Sequence, residues 1–546
     1  MRPLLALAAL ASALPIAAQT YRIAGVVVNS ETGAALDRVK VSVSPTSART
    51  RPMEATTGSN GRFAFANLPA DKWLLTARRR GYLDQEFGQP ASLASASVAI
   101  VTGPGEDTDH LVFGIHKPAM IAGKVVDSSG DPVENAFVQV LRWAVVNGRR
   151  QVHPFSSGWT NDDGAYAIGF LPAGSYFVAA TGEPWYGPRL NQDRGAVAFP
   201  PQFYPNTPDP RAAVPVALRP GQEATADFTL TPAPAFTLTL NARRAQSARL
   251  RLSSEGIHGS PIWQSNSQEF SAPAYSFRLV PGRYTVWTWG GDFPVAATQT
   301  IELGSSNTEI DLAQDEPANV EVLVARAGMK PAEVADLGLG LVSEDGSGAS
   351  PRMIPQDGAL KFPSMPPGRY RLALIGPGAE DAYIDSVSAE GARFAKDVLD
   401  VVAGSAVRLR VAVNGNGGRV EGKVYRAGHP FPGALVVLSG DPSDQHGFVT
   451  DSDGSFDFKC VKPGNYVIYA VEDGSELEYS NPANLKSGQP VLVEPRKSLN
   501  LRLDLPEPAK PREAGKPEGR ASLEGGLRVR AGLQTRGTAG LKPRAG

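Results

Sequence analysis

Large apolar residues alternate with polar ones in short runs along the whole chain, and one arrangement of such runs returns three times at one length without a gap. The copies are TGSNGRFAFANLPADKWLLTA (57–77), TNDDGAYAIGFLPAGSYFVAA (160–180) and TDSDGSFDFKCVKPGNYVIYA (450–470). In each, an Asn/Asp-Gly turn (Asn60-Gly61, Asp163-Gly164, Asp453-Gly454) opens a strand whose large side chains fall on one face: Phe63 and Phe65, Tyr166 and Ile168, Phe456 and Phe458. A second turn leads into another alternating strand headed by Trp73, Tyr176 or Tyr466. The spacing predicts a strand, a turn and a strand, a hairpin-like piece with one apolar face.

Two weaker copies keep part of the pattern, DGALKFPSMPPGRYRLAL (357–374) and AYSFRLVPGRYTVWT (274–288). A hairpin cannot bury its apolar face alone, so each copy is expected at the centre of a larger β unit. In the three clear copies a strand, a Gly-containing turn and a second strand precede it, as in YRIAGVVVNSETGAALDRVKVSVSP, MIAGKVVDSSGDPVENAFVQVLR and RVEGKVYRAGHPFPGALVVLSG. An alternating strand closes every unit: DTDHLVFGI, GQEATADFTL, NTEIDL, AVRLRVAV and SLNLRLDL. Short strands without helical periodicity predict an all-β chain, a tandem array of about five antiparallel two-sheet sandwiches. The expected divisions are 19–117, 118–232, 233–316, 317–414 and 415–505, the third and fourth being the degenerate copies.

Composition changes the picture in three places. Gly 57 and Pro 46 of 546 residues fit a turn-rich β chain. Lys+Arg 54 against Asp+Glu 55 leaves a net charge of -1, so nothing global points to nucleic acid or an anionic membrane. The single cysteine, Cys460, excludes a disulfide within the chain, so each unit must be held by its own core; its position in a strand predicts a small buried apolar residue. At the N-terminus, Arg2 followed by LLALAALASALPIAA reads as a signal peptide, 1–18, cut after Ala18. No later stretch approaches a transmembrane span, so the mature chain is expected to be exported, to the periplasm, the outer surface or the medium. From 506 to 546 alternation stops and Pro, Gly, Ala, Lys and Arg dominate, which predicts a disordered basic tail.

The recurring order of strand glycine, turn glycine, Thr-x-x-[Asn/Asp]-Gly and Pro-x-x-Tyr resembles the carboxypeptidase regulatory-like domain, a transthyretin-like sandwich related to Cna B-type and starch-binding-like modules. The resemblance rests on Gly25, Val27, Gly33, Thr57, Gly61 and Phe63; on Gly123, Val125, Gly130, Thr160, Gly164 and Tyr176; and on Gly422, Val424, Gly428, Thr450, Gly454 and Tyr466. The segments RRGYLDQEFGQP (79–90) and 198–230 resemble connecting pieces of the multi-domain exported proteins of this kind that abound in acidobacteria. The resemblance implies fold and says little of function, because the matched residues are turns and core.

Candidate chemistry is sparse. None of His110, His116, His153, His258, His429 and His446 has a Glu three residues on, as the zinc site of the carboxypeptidases would need, and there is no Gly-x-Ser-x-Gly or P-loop. No enzymatic activity, cofactor or metal is expected. Asn161-Asp162-Asp163-Gly164 and Asp451-Ser452-Asp453-Gly454 resemble calcium loops but carry Phe170 and Cys460 where a bidentate Glu belongs, so they read as turns. Lys124 and Lys423 raise an isopeptide crosslink, but both alternate with core valines and are expected to face solvent. An insertion in the second unit, 182–210, carries Trp185, Tyr186, Phe199, Phe203 and Tyr204 with Arg189, Asn191, Gln192 and Asp193 nearby. Trp185, Tyr186 and Tyr204 are the candidate glycan-stacking residues; the competing reading packs the insertion's rings over the sandwich edge. The expected function is a non-catalytic scaffold or binding protein of the cell envelope, its partner an envelope protein or a polysaccharide. The alternatives are a carbohydrate-binding protein and an accessory subunit of a secreted processing enzyme.

Overall fold

Each alternating run becomes a strand, and the strands of five successive stretches of chain pair into facing sheets. The computed structural model describes residues 19–506 except 47–50, 93–96, 147–148, 187–195, 242–248, 265–267, 270–273, 291–292, 313–316, 329–336, 345–353, 357–358, 396, 441–443, 473–476, 479–480 and 482–487. The expected leader, the tail beyond 506, and Arg189, Asn191, Gln192 and Asp193 lie outside the described residues.

In the first sandwich, Tyr21–Asn29 lies between Arg62–Leu68 and Leu111–Ile115 in one sheet. The other sheet joins Met53–Thr56, Lys40–Pro45 and Asp71–Arg78, with Gln85–Glu86 and Ile100–Thr102 on the far side. The fifth repeats this plan, with Gly418–Arg426 between Ser455–Val461 and Ser498–Asp504, facing Gln445–Val449, Leu435–Ser439, Gly464–Val471 and Gln489–Val493. All-β tandem sandwiches are therefore what the chain forms, with two features that alternation left open.

The first concerns the repeated piece, which is not a hairpin. Arg62–Leu68 and Asp71–Arg78 do not pair with each other; they lie in opposite sheets, as do Ser455–Val461 and Gly464–Val471. The same holds for the weak copies, where Ala274–Leu279 and Gly282–Gly290, and Ala359–Met365 and Gly368–Ile375, are divided between sheets. Their apolar faces meet across the core instead of lying side by side. The corner is made by a bulge: Asn67, Phe170 and Cys460 hold φ of 59°, 57° and 46°, and the register against the first strand slips beside each. Cys460 is thereby turned half out of the core, with its thiol directed at the Asn414 carbonyl at 3.8 Å, rather than buried as a small apolar residue.

The second is a parallel closing strand. Leu111–Ile115, Phe228–Leu230, Thr308–Asp311, Ala406–Asn414 and Ser498–Asp504 each run parallel to the first strand of their sandwich. This explains the strand glycine: a Cβ on Gly25, Gly123 or Gly422 would strike the backbone carbonyl of Leu111, Ala226 or Leu501 in that closing segment. Each sandwich buries its own core, for example Ile23, Val41, Phe63, Leu75 and Phe113 in the first and Val420, Val436, Phe456 and Ile468 in the fifth. Burial of such side chains contributes about 1.5–3 kcal/mol apiece.

The degenerate third and fourth sandwiches keep one more device. Tyr176, Tyr284 and Tyr370 each donate their hydroxyl to the carbonyl four residues earlier, Pro172, Val280 and Pro366, at 2.7–3.0 Å, and Tyr466 shares its one hydroxyl proton between the Lys462 carbonyl at 2.9 Å and the Asp444 carboxylate. Burial pushes the phenols of Tyr176 and Tyr284 up, so they remain donors. The tyrosine ties down the corner that sends the chain from one sheet to the other.

Candidate functional site

The second sandwich carries the insertion. Its strand Gly174–Thr181 leaves through Gly182, whose missing Cβ makes room for Val133 and Leu230, and reaches the turn at Trp185-Tyr186. Trp185 is 79% exposed and Tyr186 42%. Their rings touch edge to face, with centroids 5.6 Å apart and planes at 87°. Tyr186 lies within reach of the Asp127 and Asp131 carboxylates, which, after burial, push its hydroxyl up. That turn is itself satisfied, since the Asp127 carboxylate accepts the backbone N–H groups of Ser129 and Asp131 at 2.8 and 3.0 Å. Perpendicular rings do not make a shared flat platform; one ring can stack on a ligand face while the other meets its rim.

The remaining rings of the insertion pack inward. Phe199 joins the core of the second sandwich, and Phe203, on Gln202–Phe203, pairs beside Ala179 and is buried. Tyr204 is half-buried against the same core, with its backbone N–H on the Val178 carbonyl at 3.0 Å. The structure thus brings Trp185 and Tyr186 into contact and lays Tyr204 against the core.

The acidic turns are built for backbone satisfaction. Gly61, Gly164 and Gly454 take φ of 69°, 69° and 76°, the left-handed region that glycine occupies without strain, and each carbonyl receives the N–H of Val27, Val125 or Val424. Asn161 Oδ1 accepts from the backbone of Asp163 and Ala165. Asp453 accepts from Ser455 N and pairs with Lys423 at 2.7 Å, while Asp451 pairs with Lys72 of the first sandwich at 2.6 Å. Lys423 is therefore half-buried in an ion pair instead of facing solvent, while Lys124 is exposed. Among the described residues no group of three His, Cys, Asp or Glu is placed to hold a metal ion.

Before each turn stands a threonine with one job. Thr57, Thr160 and Thr450 are buried; each hydroxyl donates to the carbonyl of Leu36, Val133 or Phe431 and accepts the N–H of Val39, Ala136 or Ala434, at 2.6–3.0 Å. One side chain thereby satisfies two backbone groups of the preceding loop.

Sequence reasoning missed the surfaces between sandwiches. The outer face of Phe137–Val146 is covered by the third sandwich, where Leu141, Val152, Phe177 and Phe203 pack on Ile257 and Ile262. Gln139 exchanges two hydrogen bonds with the Trp263 backbone, at 3.0 and 3.1 Å. The signal was present in FVQVLRWAVV, apolar on both faces where a strand with one wet face alternates.

The sequence model of the family described as "Carboxypeptidase regulatory-like domain" matches residues 22–108 and 419–497. Comparison with curated proteins finds no match. Among solved structures the chain is similar to the Bacillus anthracis TIE protein, at 12% identity over 73% of this chain and 75% of that one, with a TM-score of 0.15. It is also similar to a minor pilin of Streptococcus agalactiae, at 13% identity over 39% and 97% with a TM-score of 0.22. The shaft pilin SpaA from Lactobacillus rhamnosus GG shows 10% identity over 39% and 98%, with a TM-score of 0.19. These likenesses are too distant to bear on function.

Proposed function

We propose that this chain, which carries carboxypeptidase regulatory-like domains at residues 22–108 and 419–497, is an exported, non-catalytic scaffold or binding protein of the cell envelope. The observation that carries the reading is what the repeated residues do. The threonines, turn glycines, strand glycines and corner tyrosines are consumed in holding backbone, so the recurrent part of the sequence supports architecture. Among the described residues no helix is long and apolar enough to cross a membrane. Expression with the leader intact, followed by fractionation and N-terminal sequencing, tests the export half: the chain should begin at Gln19 and leave the cytoplasm. A cytoplasmic chain still beginning at Met1, or turnover of peptide or glycan substrates by the purified protein, would sink the reading.

Exposure of Trp185 favours a second reading, carbohydrate binding on the second sandwich. Trp185 is the stacking ring and Tyr186 the rim. Trp185→Ala should weaken glycan binding by about two- to tenfold, Tyr186→Ala less, from the ~0.5–1.5 kcal/mol of one aromatic contact. Tyr204→Ala should lower the melting temperature and leave affinity alone. Full-length protein that binds no glycan on an array removes this reading without touching the scaffold.

A further inference from the structure

The first and fifth sandwiches meet. Lys72, on the strand Asp71–Arg78 of the first sandwich, forms its ion pair with Asp451 in the central turn of the fifth. Beside it Ser452 donates its backbone N–H to the Ala99 carbonyl at 2.9 Å, and its hydroxyl accepts the N–H of Val101 at 3.0 Å. Val98 lies under Gly433, and the Lys72 ammonium stands over the Phe448 ring at 5.5 Å. The edge 98–101 of one sandwich is thus seated on the Thr450–Asp453 turn of another, 351 residues away along the chain.

This contact differs in kind from the one between the second and third sandwiches. There, buried aliphatic and aromatic side chains interlock; here, an ion pair and two hydrogen bonds do the holding. A buried ion pair roughly breaks even against hydration of its partners. At Asp451 burial pushes the carboxyl up and Lys72 only partly offsets the push. Both sandwiches own complete cores and lose none of them on parting. The two faces are also unlike, so each is complementary to the other and not to itself.

We propose that this contact is an exchangeable clasp: the first sandwich of one copy of the chain can seat the fifth sandwich of a second copy in place of its own. Closure within one chain and reciprocal closure between two are then alternatives with the same contacts, chosen by concentration. This goes beyond the scaffold reading, giving the scaffold a way to join copies of itself.

Charge reversal tests it on the full-length chain. Lys72→Asp and Asp451→Lys each place like charges across the clasp, and each variant alone should stay at the mass of one chain with a larger radius of gyration than wild type. Mixed in equal amounts, the variants complement each other at both contacts and should give a species of twice the mass by light scattering. The double variant Lys72→Asp/Asp451→Lys should return to a compact single chain, which distinguishes an opened clasp from a damaged fold. Single variants as compact as wild type would overturn the clasp. A mixture that never exceeds the mass of one chain would overturn exchange.

Discussion

The first and fifth sandwiches match the same family model and use the same threonine, the same turn glycine and the same strand glycine, yet they place charge differently. In the first the central turn is Gly58-Ser59-Asn60-Gly61, without a charge, and the shifted carboxylates, Asp37 and Asp107, sit at the surface beside Arg79 and His110. In the fifth the turn is Asp451-Ser452-Asp453-Gly454, and burial pushes its acids and their neighbours up until partners answer it. Arg419, on both oxygens of Asp457 at 2.8 and 2.9 Å, outweighs burial and holds that carboxyl low. Lys423 and Ser455 do so for Asp453, and His446 and Tyr466 for Asp444. Asp451 alone stays high. The fold therefore demands a glycine and a backbone acceptor at this turn; of the acids added in the fifth copy, Asp444, Asp453 and Asp457 brace the sandwich internally and Asp451 ties it to the first.

The largest test of what the two copies share is the strand glycine. Gly422→Val drives a side chain into the Leu501 carbonyl, and should cost about 3 kcal/mol or more, unfolding the fifth sandwich while the first keeps its hydrogen-exchange protection. Gly25→Val should do the mirror image through Leu111. Protection lost equally in both sandwiches from either change would mean that they do not fold as separate units.

Next come the threonines. Thr57→Val and Thr450→Val each leave a buried N–H and a carbonyl unmet, at about 1–3 kcal/mol, and the two losses should agree because the bonds are the same. Denaturant melts with a probe in each sandwich read both; a large disparity would break the equivalence.

Acid should separate the two. A carboxyl held low in the native state lends stability that is complete above its unfolded value, about 4, and is lost as pH falls through the native value. Asp444, Asp453 and Asp457 act in this sense on the fifth sandwich. Asp451, held high, acts oppositely: its contribution is complete below the unfolded value and is lost as pH rises through the native one. The exposed pairs of the first sandwich are screened and contribute little. Between about pH 5 and pH 2, exchange protection in Ser455–Val461 should fall before that in Arg62–Leu68, and Asp457→Asn should narrow the gap. Simultaneous loss would show that the buried pairs carry no net weight.

The candidate site was legible in part. Five aromatics in a Pro/Gly-rich insertion marked it, but composition cannot say which rings turn out: Phe199 and Phe203 find core, Tyr204 lies half against it, and Trp185 and Tyr186 do not. The clasp was not legible, because Lys72 and Asp451 are ordinary turn and strand charges until two distant sandwiches are set side by side.

By itself the sequence determined where strands run, which face each buries and where the chain must turn, because alternation and positive φ act on neighbours a few residues apart. Which strands pair was decided only by the tertiary structure. The strand that alternates in a hairpin alternates equally when its partner lies across the core, so Arg62–Leu68 and Asp71–Arg78 read as one hairpin and fold into opposite sheets. The parallel closing strand and the outer face covered by the third sandwich are of the same kind, since burial has a local signature and the identity of what does the burying does not.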